Sequence, residues 1–290
     1  MESFLFDPFQ ADFMQNGALA AMLVGVLCGT VGCFVVMRGT ALLAESVAHG
    51  VLPGVAVAVL LTAGTSGDPD KAAILCGALA GGVLTAAGSA VILRRTRLRE
   101  DTAIAVMFVF MLALGVVLIS RVEGFAVDLT SFLFGDVLSV PDWEVALTAG
   151  LAAVVLLVMW ALYRPFVLVS FDRRRAASLG VSVERTELAL MILLAVAVVV
   201  GFTIVGALLV LGLLIAPPAA AALLTKRLPS MMAVSALIAA ASGPLGLLVS
   251  WHFEVAAGAS IVLVALTATG SWRLLEAGLQ GRRRATAPAA

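Results

Sequence analysis

Residues 188–224, LALMILLAVAVVVGFTIVGALLVLGLLIAPPAAAALL, run for 37 residues without one Asp, Glu, Lys or Arg. A membrane-spanning helix needs about 20 apolar residues, roughly 17–25. The stretch is therefore too long for one span and suits two, near 187–203 and 205–224. The only punctuation between them is Gly201 to Gly206. A re-entrant or unwound segment there fits the same residues, which would leave eight spans in the chain rather than nine.

The rest of the chain has the same character. Of its 290 residues, 62% are apolar and 12% charged, and the mean hydropathy is +1.13. A soluble domain is roughly 45–50% apolar and about 25% charged, so the solvent of this chain is lipid. Further spans are expected near 15–37, 42–63, 72–93, 102–120, 143–163, 230–250 and 256–275. The predicted fold is all-α, a transmembrane helical bundle of about nine spans. It forms one transmembrane domain over 1–280, followed by a short basic tail at 281–290. The N-terminal segment MESFLFDPFQADFMQNG has no Lys or Arg, unlike the positive start of a cleavable signal peptide. A net charge of zero gives no basic face for nucleic acid. Cys28, Cys33 and Cys76 lie in apolar runs and have no zinc-site or disulfide-framework spacing.

Lys and Arg favour cytoplasmic loops. With the N-terminus outside and the C-terminus inside, 16 of the 18 basic residues fall on the cytoplasmic side, and only Lys71 and Arg121 fall outside. The acids lean the other way. Eleven of 18 face outward, concentrated in the N-terminal segment and in the loop from Arg121 to Trp143. Glu45 alone is left within the membrane.

Glu45 and His49 are four residues apart, so on a helix both side chains lie on one face. Ionisable groups inside a membrane are costly and point to function. A carboxylate and an imidazole together suit a divalent transition metal. They also suit a hydrogen bond that merely joins two helices, and two ligands do not complete a metal site. Pro53 and Gly54 follow directly, where they would bend or loosen the helix. A second candidate is the segment from Arg164 to Glu187, the longest cytoplasmic loop. Phe171 to Leu179, including Asp172 and Ala177, is expected to form a short helix with Gly180 as its C-terminal cap. Arg173, Arg174 and Arg175 there would pair with acids on a partner or simply hold the loop inside. His252, in WHFEV, reads as an interfacial anchor beside Trp251.

Four segments carry a family resemblance. ALLAESVAHGVLPGVAVAVLL at 41–61 resembles the G-D-A-L-S-H-A-V-L-P-G signature of the metal-type ATP-binding-cassette permeases, the zinc, manganese and iron importers. Ala44 and Glu45 stand where that family has Gly-Asp, and His49, Val51, Leu52, Pro53 and Gly54 match. SFLFGDVLSVPDWE at 131–144 and RRRAASLGVSVERTE at 173–187 are similar to the family's segment before its fifth span and to its cytoplasmic A-x-x-L-G-V segment. VGALLVLGLLIAPPAAAALLTKR at 205–227 is similar to its V-G-x-L-L-V-x-x-L-L-I-x-P-A-A stretch, with Pro217 matching and Pro218 added.

The resemblance implies a bacterial inner-membrane permease subunit that carries zinc, manganese or iron and has no tightly bound cofactor. It implies a homodimer, a cytoplasmic ATP-binding subunit docked on the 173–187 segment and an extracytoplasmic metal-binding protein. The chain lacks the G-x-x-x-x-G-K-[ST] phosphate loop, so ATP hydrolysis is expected on a separate subunit. The alternative is a proton-coupled secondary transporter working through Glu45 and His49 without an ATPase. An intramembrane metalloenzyme is disfavoured, because there is no H-E-x-x-H and only two histidines.

Overall fold

The computed structural model of the chain describes residues 12–66, 71–121, 135, 137–268 and 270. The basic tail, the N-terminal segment before residue 12 and most of the loop after Arg121 lie outside the described residues. Helices follow one another as α1 (Asp12–Arg38), α2 (Ala41–Ser66), α3 (Lys71–Arg95) and α4 (Glu100–Ile119). After a 3-10 turn at Val137–Ser139 come α5 (Asp142–Ala161), α6 (Tyr163–Phe171) and α7 (Arg173–Ser178). The chain continues as α8 (Val183–Val205), α9 (Ala207–Leu224) and α10 (Leu228–Phe253), then α11 (Ala257–Ala268). Seven of these are long and apolar enough to cross a membrane, and α9 and α11 are shorter apolar helices. Seven of the expected spans fall on these long helices, the one near 205–224 falls on the shorter α9, and the one near 256–275 is described only as far as 270.

The ambiguous stretch resolves into a hairpin. Gly206 has φ 80° and ψ 166°, a region essentially reserved for glycine, and it separates α8 from α9. A methyl group at Gly201 would stand 2.6 Å from Val210 Cγ2. Nine residues along a continuous helix would be about 13 Å apart, so α9 folds back along α8.

Apolar side chains cannot drive helices together in lipid, where tails are as apolar as leucine, so close backbone packing does. Two such contacts organise the bundle. Gly25 and Gly29 of α1 lie against the backbone of α10 at Ala239 and Ser235, and the Ser235 hydroxyl donates to the Gly29 carbonyl at 2.7 Å. Gly50 and Gly54 of α2 lie against Gly81 and Gly77 of α3. One group thus forms around α1, with α5, α9 and α10 on it, and a second comprises α2, α3 and α4. α8 touches both groups.

The supposed loop 164–187 is largely helical. α6 follows α5 after one residue, and its Phe166 is buried edge-on against Phe34 of α1, with ring centroids 5.9 Å apart. The expected helix over Phe171–Leu179 is shorter. Phe171 closes α6, and the Asp172 side chain accepts from Arg175 N–H at 2.9 Å to start α7. An N-cap aspartate satisfies a helix donor that Phe171 has no means to satisfy. The expected cap is present. Gly180 has φ 79°, and Val181 N–H and Gly180 N–H donate to the Ala176 and Ala177 carbonyls in a Schellman motif.

The two ends of the bundle differ in chemistry. Arg38, Arg94, Glu100, Arg173, Glu184 and Glu187 meet in ion pairs at one end. At the other, Asn16 donates to the Asp142 carboxylate at 2.6 Å, near a cleft lined by Met14, Leu138, Trp251 and Glu254. A cysteine at exposed Ser178, in a background without the three native cysteines, is expected to react with an impermeant maleimide only after cells are opened. Reaction in intact cells would reverse the assignment of the arginine-rich end to the cytoplasm.

Candidate metal path and motor-docking segment

The placement of Glu45 begins with the turn before α2. Gly39, at φ 68°, and Thr40 return hydrogen bonds to Val36 and Val35, so α1 passes into α2 over two residues. Glu45 then lies on the order of 6 Å along α2 from Ala41, and His49 on the order of 12 Å, at 1.5 Å per residue. Ala44, Ser46, Val47, Ala48 and Val51 are fully buried. Glu45 is exposed and His49 half-buried. The helix therefore turns its apolar side into the bundle and leaves the carboxylate on the surface of the single chain.

His49 is held from α4, where Phe108 meets its ring edge-on at 5.5 Å and 63°. Glu45 and His49 are near enough for their charges to interact. Among the described residues no three His, Cys, Asp or Glu side chains come together as a metal site, so any ion held here draws further donors from elsewhere. α2 runs unbroken through Pro53. Its neighbour Gly54 serves packing, since a Cβ there would collide with the Gly77 carbonyl of α3.

Pro217 and Pro218 are both buried inside α9. A proline at 218 cannot donate to the carbonyl of Leu214, and that carbonyl lies directly against Gly32 of α1. The added Pro218 thus belongs to a close approach of α9 to α1, with Gly32 making room for it.

In the docking segment, Ala176 is fully buried while Phe171, Ala177, Leu179 and Gly180 are exposed. Phe171 and Leu179 keep 71% and 63% of their surface exposed, and they flank α7 at the arginine-rich end. Two large apolar side chains on that end suit a protein groove. Arg173, its side chain half exposed, pairs with Glu187 and Glu100. His252, half-buried, donates from Nδ1 to the Leu248 carbonyl at 2.8 Å, which ties the ring to its own helix beside exposed Trp251.

The sequence profile of the ABC 3 transport family matches residues 10–269. The chain belongs to this family. The manganese transport system membrane protein MntC of Halalkalibacterium halodurans is 39% identical over 266 residues, covering 91% of this chain and 88% of its own length. The probable iron transport system membrane protein of Haemophilus influenzae is 33% identical, covering 91% and 94%. Among solved structures, PsaBC from Streptococcus pneumoniae in complex with Fab superposes with a TM-score of 0.79 at 35% identity, over 93% of this chain and 94% of that one. The ABC 3 assignment makes this a multi-pass transport permease of the bacterial plasma membrane and not an enzyme. It also bears out the family resemblance read from the sequence.

Sequence reasoning missed one feature of this ABC 3 chain. Arg38, Glu100, Arg173 and Glu187 converge at the arginine-rich end, although Arg38 and Glu187 are 149 positions apart. Arg173 had been expected to pair with acids on a partner or to hold its loop inside, and the other three had been assigned only to a side of the membrane. The available signal was that Glu100 and Glu187 are among the few acids on that side.

Proposed function

We propose that this chain is the membrane permease of an ATP-driven importer of divalent transition-metal ions, zinc, manganese or iron, and that the ion passes Glu45 and His49. The observation that carries the proposal is the pair itself: an exposed carboxylate and a half-buried imidazole one turn apart, inside a span of an ABC 3 permease. A charged group facing lipid costs about 2.5–3.5 kcal/mol on insertion scales. A second copy of the chain covering Glu45 would remove that cost and supply the missing donors. The names of the manganese and iron relatives support the cargo class. A cytoplasmic ATP-binding subunit and an extracytoplasmic metal-binding protein complete the machine in this proposal.

Uptake of radioactive manganese, zinc and iron(II) is the test, in a strain lacking its own importers. Uptake is expected only with a co-expressed ATP-binding subunit. Equal uptake without it would favour the proton-coupled alternative.

The docking role of Phe171–Gly180 has its own test. Ala177→Asp and Leu179→Asp place a charge on the exposed apolar side of α7 without touching its buried Ala176 or its Asp172 cap. Both variants are expected to insert normally and to lose the ATP-binding subunit on co-purification, at least tenfold. Wild-type recovery of that subunit in both would locate docking elsewhere.

A further inference from the structure

The ion-pair cluster at the arginine-rich end joins parts of the chain that the metal path and the exposed docking face do not account for. Arg173, the first residue of α7, forms an ion pair through Nε with Glu187 Oε1 at 2.9 Å and donates from a terminal nitrogen to Glu100 Oε2 at 3.4 Å. Arg38, the last residue of α1, reaches the same Glu187 oxygen at 3.2 Å. Glu100 begins α4 and Glu187 lies in the second turn of α8. One guanidinium on a six-residue helix is thereby tied to the ends of two membrane helices, α4 and α8, and through Glu187 to Arg38 at the end of a third.

The sharing is uneven. Glu187 Oε1 pairs with two arginines, and the Glu187 and Arg38 side chains keep only 15% and 9% of their surface, against 51% for Arg173. Glu100 Oε1 is buried and makes no hydrogen bond among the described residues. A small cavity, about 20 Å³, opens between Arg38 and Glu100 and is walled by Phe34, Leu43 and Leu190. A buried carboxylate oxygen left without a donor is costly. A shift of α7 towards α4 would relieve it, with Arg173 giving up part of its hold on Glu187. A guanidinium is suited to this exchange, because its planar fork bonds two carboxylates at once and stays charged throughout. Two arrangements of one packed cluster are the kind of element that turns a small displacement into a discrete change.

We propose that Arg173 is the positioning residue that transmits movement of α7 to α1, α4 and α8, by exchanging between Glu187 and Glu100. The proposal rests on the reading of Phe171–Gly180 as the docking segment. It assigns Arg173, whose side chain keeps 51% of its surface, to the link from docked motor to membrane helices, and not to the docking surface.

The test uses the full complex of permease, ATP-binding subunit and binding protein in liposomes. ATP hydrolysis and uptake of manganese, zinc or iron(II), each supplied alone, are measured in the same vesicles. Arg173→Gln is expected to retain the ATP-binding subunit and to hydrolyse ATP within about twofold of wild type, while ions moved per ATP fall at least tenfold. Glu100→Gln is expected to lower the same ratio, and the double variant to be no worse than Arg173→Gln alone. Arg173→Lys keeps the charge without the fork and covers the case in which the glutamine variant fails to fold. It is expected to assemble and to lose coupling about threefold or more. Wild-type ions per ATP in Arg173→Gln, or in Arg173→Lys if only that variant folds, would overturn the proposal. So would loss of the ATP-binding subunit in Arg173→Gln, which would put Arg173 on the docking surface and leave the docking reading standing. Failure of the docking reading shows separately, as wild-type subunit binding in Ala177→Asp and Leu179→Asp.

Discussion

Glu45→Gln and His49→Ala are each expected to reduce metal uptake at least tenfold while the protein still inserts and still binds its ATP-binding subunit. Glu45 is exposed on the single chain and His49 half-buried beneath Phe108, so neither substitution opens a large cavity. The glutamine keeps the shape of the side chain and removes its charge. That charge is what attracts a divalent ion into a region where an isolated cation is poorly solvated. The imidazole adds a nitrogen donor that zinc, manganese and iron all accept. A transit site binds well enough to take the ion from one side and weakly enough to release it to the other, so losing one of two donors acts directly on flux. Glu45→Asp restores the residue typical of the metal-type permeases with the same charge on a shorter arm. It is expected to retain transport and to change the preference among the three metals. Wild-type uptake in both the Gln and the Ala variants would reduce the pair to a structural hydrogen bond.

A second large effect is expected on assembly. Gly54→Leu should prevent α2 from packing on α3, at a cost of about 3 kcal/mol or more, and so lower the yield of folded protein and abolish transport. The Gly54 backbone rests on the Gly77 backbone, leaving no flexible side chain to move aside. α2 carries Glu45 and His49, so any displacement of this contact moves the metal path with it. Gly150→Leu is the matched control. Nothing lies within 4 Å of a Cβ at Gly150, and this variant is expected to keep wild-type yield in detergent and wild-type uptake. A folded, monodisperse Gly54→Leu protein would show that the α2–α3 contact tolerates separation.

Much of this fold was legible because lipid imposes a simple length rule and because arginines mark the span ends. Arg38, the cluster Arg94–Arg99 and Lys226–Arg227 all lie at or just beyond the helix ends observed. The hairpin at Gly206 was visible only as an interruption. Apolarity is the same for a bent helix, a re-entrant segment and a reversal, and the backbone at Gly206 shows that the helix breaks there. α6 was hidden by Arg164 and Pro165, which punctuate like a loop, and its helix is fixed by Phe166 packing on Phe34 across the bundle. Spacing alone placed Glu45 and His49 on one face of a helix. The exposure of one and the aromatic contact of the other did not follow from it, because both depend on which helix covers which face. The Arg38–Glu187–Arg173–Glu100 cluster was out of reach for the same reason, since charge sign predicts a side of the membrane and not a partner.

The claim that an ion is ligated by this pair is tested most directly by electron spin-echo spectroscopy of manganese(II) added to the purified permease in lipid nanodiscs. The account predicts nitrogen coupling to the bound ion in the wild-type protein, absent from His49→Ala and retained in His252→Ala. Manganese bound with no nitrogen coupling, or with unchanged coupling in His49→Ala, would contradict it.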